Sequence, residues 1–134
     1  MADSNAVVID NGTGLCKAGI AGDDAPRSCF PVVVGRPKDY TMIGTEYTPF
    51  YIGQEANEKK AVLKRTNPVK NGIIENWDDM IKVWNHCYYS ELKVDPTEQP
   101  VHLTEAPNTP QGNKEKMMEI FFEDFSVPAF YVSI

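Results

Sequence analysis

Positive charge is scarce in this sequence. Thirteen lysines and arginines stand against 19 aspartates and glutamates, a net charge of −6. Non-specific nucleic-acid binding needs a basic face to displace counterions from phosphates, so nucleic acid is not expected as a partner. Long apolar runs are lacking as well. None approaches the roughly 20 residues of a membrane-spanning helix, and no membrane is expected either. The start, Met1-Ala2-Asp3-Ser4, carries no signal-peptide pattern. Cysteine is sparse and odd in number: Cys16, Cys29 and Cys87, without metal-ligand spacing. All three read as reduced, buried small hydrophobes, which points to a cytoplasmic protein. The two histidines, His86 and His102, lie far apart and read as solvated or hydrogen-bonded. Internal repeats and low-complexity tracts are missing. The rest is ordinary for a globular domain, 42% hydrophobic and 24% charged over 134 residues, enough for a modest core.

Glycine concentrates where function is most easily sought. Residues 10–19, "DNGTGLCKAG", follow the apolar run Ala6-Val7-Val8-Ile9, which is too short for a helix and reads as a buried strand. Asn11-Gly12 signals a tight turn, since both residues tolerate positive φ. A second strand leaves through residues 15–20, with Leu15 and Lys17 on one face and Cys16, Ala18 and Ile20 on the other. The stretch is a hairpin with a bare tip.

The remaining organisation is α/β. "GDDAPR" (22–27) is a turn, and residues 28–37 read as a third strand whose Pro31 suggests an edge or a bulge. Residues 38–51 lack any sustained period and read as a long loop. Residues 53–63 can form a short helix, and "TNPVKNG" (66–72) is turn chemistry. Asn76 can cap a helix whose first turn carries Asp78 and Asp79. Trp77, Met80, Ile81, Trp84, Cys87, Tyr88 and Leu92 then share one face at helical spacing. The acids read as a charged first turn and the tryptophans as core. Residues 100–107 read as a strand with Glu105 as a structural acid at its end. A second helix spans about 113–125, burying Met117, Ile120, Phe121 and Phe125. Residues 129–134 read as a core strand. A chain seldom stops at the end of a buried strand, so a longer protein is expected.

The bare hairpin tip admits two readings. A glycine-bordered turn lets backbone N–H groups approach an anion without Cβ obstruction, forming a nest for phosphate oxygens. Thr13 adds a hydroxyl and Lys17 a cation. Asp10, at the strand end, could hold hydrated Mg²⁺ or Ca²⁺, because a carboxylate beside phosphate is tolerable only with a metal between them. A plain turn with a surface lysine accounts for the spacing equally well. No Walker motif is present, and a dinucleotide fingerprint would need a helix where a strand follows.

Beyond the hairpin, "VIDNGTGLCKAGIAGDDAPR", "FPVVVGRP", "GIIENWDDMIKVWNH", "LTEAPNTPQGNKEKM" and "FSVPAFYVSI" resemble, in order and spacing, the amino-terminal portion of the actin family. The resemblance covers essentially the whole chain. It implies the actin-like ATPase fold, shared with sugar kinases and heat-shock chaperones, in which ATP or ADP and a divalent cation sit between two related halves. It also implies that residues 1–31 and 69–134 form part of the outer base subdomain, and that 32–68 form a small inserted subdomain. Residue by residue, Gly12, Thr13, Gly14 and Leu15 match the first phosphate loop. Lys17 matches the phosphate-contacting lysine, and Asp10 the carboxylate that holds the metal through water. Residues 38–51 match the loop that inserts into the neighbouring subunit of a filament. The family's water-positioning glutamine would follow directly after Ile134. It, the second phosphate loop and the adenine-ribose pocket are not among these 134 residues, so no catalytic residue is assigned and any ATPase activity belongs to a full-length protein.

This sequence departs from the family pattern at several places. The loop 38–51 differs in composition and is one residue shorter. Asn71 stands where actins usually carry a methylated histidine, and Lys70 replaces an acid. A single acid, Asp3, stands in for an acidic cluster that engages motors. These departures leave the nucleotide assignment intact and point to a divergent actin. The resemblance implies a cytoskeletal, filament-forming protein with slow ATP hydrolysis. Its partners would be other actin subunits, actin-binding proteins, and a motor or multi-subunit complex. The alternative is a non-polymerising actin-like subunit of a larger complex. An enzyme or chaperone on the same fold would share the hairpin but not "DDAPR", "NWDDM" or "TEAP".

Overall fold

A computed structural model of the chain describes residues 5–12, 14–38, 50–105 and 109–133. Among these the chain runs β1 (Val7–Asn11), β2 (Leu15–Ile20), β3 (Ser28–Pro31), β4 (Val34–Pro37), β5 (Tyr51–Ile52) and α1 (Gln54–Glu58). It continues through β6 (Leu63–Thr66), β7 (Val69–Lys70), β8 (Ile73–Ile74), α2 (Trp77–His86), β9 (Val101–Thr104), α3 (Gln111–Glu123) and β10 (Phe130–Ser133). The expected α/β class holds. Five strands make a mixed sheet in the order β10-β9-β1-β2-β3, antiparallel across β1, β2 and β3 and parallel across β1, β9 and β10.

Strand alternation gives this sheet two unlike faces. Val7, Ile9, Cys16, Ala18, Phe30, Val101 and Leu103 point inward and are buried. They pack with Met80, Val83 and Trp84 of α2 and with Met117, Ile120 and Phe121 of α3 in one hydrophobic cluster. Trp84 and Phe121 meet at 4.7 Å between ring centroids. Truncating either to alanine would cost about 3–5 kcal/mol, the usual price of a large core cavity. The side chains of opposite parity remain exposed or half-buried: Val8, Asp10, Leu15, Lys17, Cys29, His102, Thr104 and Tyr131. The helices cover one face and leave the other open.

Several elements differ from the sequence expectation. Residues 28–37 are two strands, not one. Proline ends β3 at the sheet edge, where its missing N–H costs no ladder bond. The chain then crosses to a second sheet of order β5-β4-β6. Val32 N–H donates to the Gly14 carbonyl at 3.0 Å at this crossing. The helix expected over 53–63 stops at Glu58, and residues 63–66 form β6, which pairs with β4 from Val34↔Thr66 to Pro37↔Leu63. A ladder to a distant strand overrode local helix propensity there.

The single helical face running to Leu92 also divides. α2 ends at His86, and Cys87–Leu92 continue as a wider π-helical turn closed by Lys93 in the left-handed region. Val83 joins the buried face, whereas Trp77 and Ile81 are only half-buried. α3 begins earlier than expected, and Phe125 is buried just beyond its end. β10 is an edge strand, not a core strand: Phe130 and Val132 are half-buried and Tyr131 is 58% exposed. Cys29 is exposed, contrary to the expected burial of all three thiols, because it sits on the open face of β3. The loop expected over 38–51 falls mostly on residues 39–49, outside the described residues.

Candidate functional site

The hairpin of β1 and β2 forms as the sequence predicts, but its turn works differently. Gly12 N–H donates to the Leu15 carbonyl at 3.0 Å, and neither Asn11 nor Gly12 takes positive φ. Glycine is required by proximity, since a Cβ on Gly12 would lie 2.6 Å from the Leu15 carbonyl oxygen. The same dipeptide at Asn71-Gly72 does adopt the left-handed pair, φ 54° and 79°, and joins β7 to β8. That is the type I′ geometry for which the dipeptide is favoured.

Asp10 and Lys17 are register partners across the hairpin, and both point to the open face of the sheet. A shallow concavity of about 440 Å³ lies there, lined by Val8, Asp10, Lys17, Gly19 and Thr104 and bounded by the 22–26 turn. Gly12, Gly14 and Leu15 lie at the turn beyond this concavity. Gly14 is exposed, with open space where a Cβ would stand. Thr13 lies outside the described residues. The structure therefore brings a carboxylate and a cation together beside an unobstructed glycine.

Residues to which the sequence reading gave no part in the site hold this arrangement in place. Thr104, at the end of β9, donates its hydroxyl to Asp10 Oδ1 at 2.8 Å and accepts the Asn11 backbone N–H at 3.2 Å. It orients the carboxylate and pins the strand end. Asn11, read from sequence as a turn former, accepts the Trp84 indole N–H at 3.1 Å and so ties the hairpin to the core. The parity of "VHLT" could have placed Thr104 on the open face, but its pairing with Asp10 needs the parallel register of β1 and β9. Below the hairpin, Cys16 is hydrogen-bonded to Cys87 and buried. Its thiol is pushed far above its ordinary value and stays protonated and unreactive.

The other tempting residues take structural places. Asp79 is buried and accepts both Nη groups of Arg36, one of them at 3.1 Å, along with Asn76 Nδ2 at 3.1 Å. The Arg36 guanidinium holds its carboxyl below the usual range against the opposing effect of burial. Its neighbour Asp78 is exposed, and both acids stand in the first turn of α2 as the sequence reading expected. His86 pairs with Glu91 at 2.8 Å, and His102 with Ser133 at 2.8 Å. Among the described residues no group of three or more metal-ligating side chains occurs. No helix among them is long and apolar enough to cross a membrane.

A family model for actin matches residues 1–134, the whole of the chain. The chain belongs to the actin family. The open-faced mixed sheet and the second, smaller sheet are consistent with part of an actin-like fold. Asp10 and Lys17 bring a carboxylate and a cation to one concavity on the open face of the sheet.

Proposed function

We propose that this actin-family chain holds the phosphates of ATP or ADP, with Mg²⁺ or Ca²⁺, at the β1–β2 hairpin, as part of a subunit that assembles into filaments. The observation that carries the reading is the register pairing of Asp10 with Lys17 on an exposed face. The residues fit such a ligand. Lys17 presents a cation to phosphate oxygens, Gly14 leaves the backbone approachable, and Asp10 is oriented by Thr104 toward the same face. A carboxylate this close to a phosphate site requires a cation between them, and Asp10 would hold it through water. The bound nucleotide would supply a phosphoanhydride whose slow hydrolysis is coupled to assembly. Within the chain we assign residues 1–31 and 69–134 to a base unit and 32–68 to an inserted one. The loop 38–51 would contact the next subunit.

Nucleotide retention by the full-length protein tests the site. Asp10→Ala and Lys17→Ala should each weaken ATP binding by about 10- to 100-fold, the worth of one charge-assisted contact. Lys17→Ala should affect ATP more than adenosine. Unchanged affinity in both variants would reduce the hairpin to a turn. Assembly is tested separately by replacing Met42 and Ile43 with aspartate. Sedimentable polymer should disappear while nucleotide binding persists. A wild-type protein that binds nucleotide and never sediments would instead identify a non-polymerising actin-like subunit.

A further inference from the structure

Behind the hairpin, on the side away from the Asp10–Lys17 face, lies a small cavity of about 20 Å³. Asn11, Glu105 and Asn113 line it, together with Gly72, Ile74 and Met117. Three buried polar atoms belong to these side chains: Asn11 Nδ2, Glu105 Oε2 and Asn113 Nδ2. None has a hydrogen-bond partner among the described residues. A buried polar atom left unpaired costs about 1–3 kcal/mol, and three lining one cavity are not a random scatter of defects.

We infer that this cavity is the binding site of a single structural water molecule, bridging the phosphate hairpin, the end of β9 and the first turn of α3. The volume suits one water, which needs at least about 10–15 Å³ and two to four polar partners. The donor and acceptor count suits it too. The Asn11 amide is oriented by its Oδ1, which accepts the Trp84 indole N–H at 3.1 Å, so Nδ2 must face the cavity as a donor. Glu105 directs Oε1 toward Lys114 Nζ, 3.8 Å away, and turns Oε2 inward as an acceptor. Water accepts from Asn11 Nδ2 and Asn113 Nδ2 and donates to Glu105 Oε2, which satisfies all three atoms. A metal cation would face the Asn11 N–H₂ donor, and an anion would face the Glu105 carboxylate. A neutral amphoteric molecule satisfies both.

The bridge continues a polar path that the protein supplies directly. Thr104 links Asp10 to the Asn11 backbone, Asn11 links that backbone to Trp84, and the water carries the path on to Glu105 and Asn113. The site thus braces the hairpin from behind and depends on no bound nucleotide.

The full-length protein should be examined at a resolution that shows ordered solvent. A single density peak within hydrogen-bonding distance of Asn11 Nδ2, Glu105 Oε2 and Asn113 is expected. A bare cavity, a coordinated metal ion, or a side chain from another part of the protein at that place would overturn the inference. Oxygen-17 relaxation dispersion supplies a second reading. Asn113→Leu, which fills the cavity with an apolar side chain, should lose one long-lived internal water relative to wild type, and Glu105→Gln should retain it. An unchanged count in a folded Asn113→Leu variant would also defeat the assignment.

Discussion

At the scale of single residues, strand parity made half of the site legible and left the other half hidden. Asp10 and Lys17 fall on one face because side chains alternate along a hairpin, and that could be read from spacing alone. Cys29 could not be placed in the same way, because the residues after Pro26 gave no register. It proves to be the partner of Lys17 on β3, so Asp10, Lys17 and Cys29 form one cross-strand row. An exposed thiol in that row should sense what occupies it. Alkylation of Cys29 in the full-length protein, followed by peptide mass spectrometry, should slow when ATP and Mg²⁺ are added and not when adenosine is. Tyr88 supports a different expectation. It is fully buried and its hydroxyl has no partner among the described residues, while burial pushes its ionisation upward. Tyr88→Phe removes an unsatisfied group without opening a cavity. Thermal unfolding should show stabilisation on the order of 1 kcal/mol.

At the scale of elements, the decisive contact joins β4 to the start of α2. Asp79 accepts from Arg36, which lies 43 residues upstream in another sheet, and from Thr66 of β6 at 3.4 Å. The sequence reading treated Asp79 and Asp78 alike, because the partner that buries Asp79 lies far from "NWDDM" in the chain. The capping role of Asn76 was legible, and it is observed: its side chain accepts the Asp79 N–H at 3.1 Å. Long periodic helices and the first hairpin were similarly legible. Strand β6 was not, because its pairing comes from β4 and not from its own residues. The ion pair carries a pH dependence whose sign follows from its cause. The Asp79 carboxyl is held below its unfolded value, so the pair contributes stability above the ordinary carboxylate range. That contribution fades as pH falls below about 4 and through the depressed folded value. Arg36→Ala leaves the buried carboxylate without its main partner and should cost roughly 2–3 kcal/mol at neutral pH. The cost is kept below that of a fully buried pair because Arg36 is 39% exposed. Urea titrations of wild type and variant should converge as the pH is lowered through that window.

At the scale of the whole molecule, the described residues cover the five-stranded sheet on one side only. Parallel strands such as β1, β9 and β10 are normally sheltered on both faces. Here Leu15 is 48% and Tyr131 58% exposed on the open side. The 134-residue chain alone should therefore self-associate, visible in sedimentation velocity as species that grow with concentration. If the hairpin holds phosphates as proposed, the chain alone should also lack measurable ATPase activity, since one hairpin would supply only part of the positioning that phosphoryl transfer requires. A monodisperse, hydrolytically active preparation of these residues would contradict both expectations.

The crossing between the two sheets has a consequence of another kind. The chain enters the smaller sheet at Val34 and leaves it at Thr66, and these two residues are ladder partners. Entry and exit therefore stand about 4.5–5.5 Å apart, the separation of opposed residues in an antiparallel pair. A segment with such adjacent ends behaves as a cassette. Its chain ends attach at two neighbouring points, so its length can change while the five-stranded sheet keeps its connectivity, provided the Arg36–Asp79 contact is kept. Substitutions within residues 38–51 fall between those points, so they leave the connectivity of the five-stranded sheet unchanged.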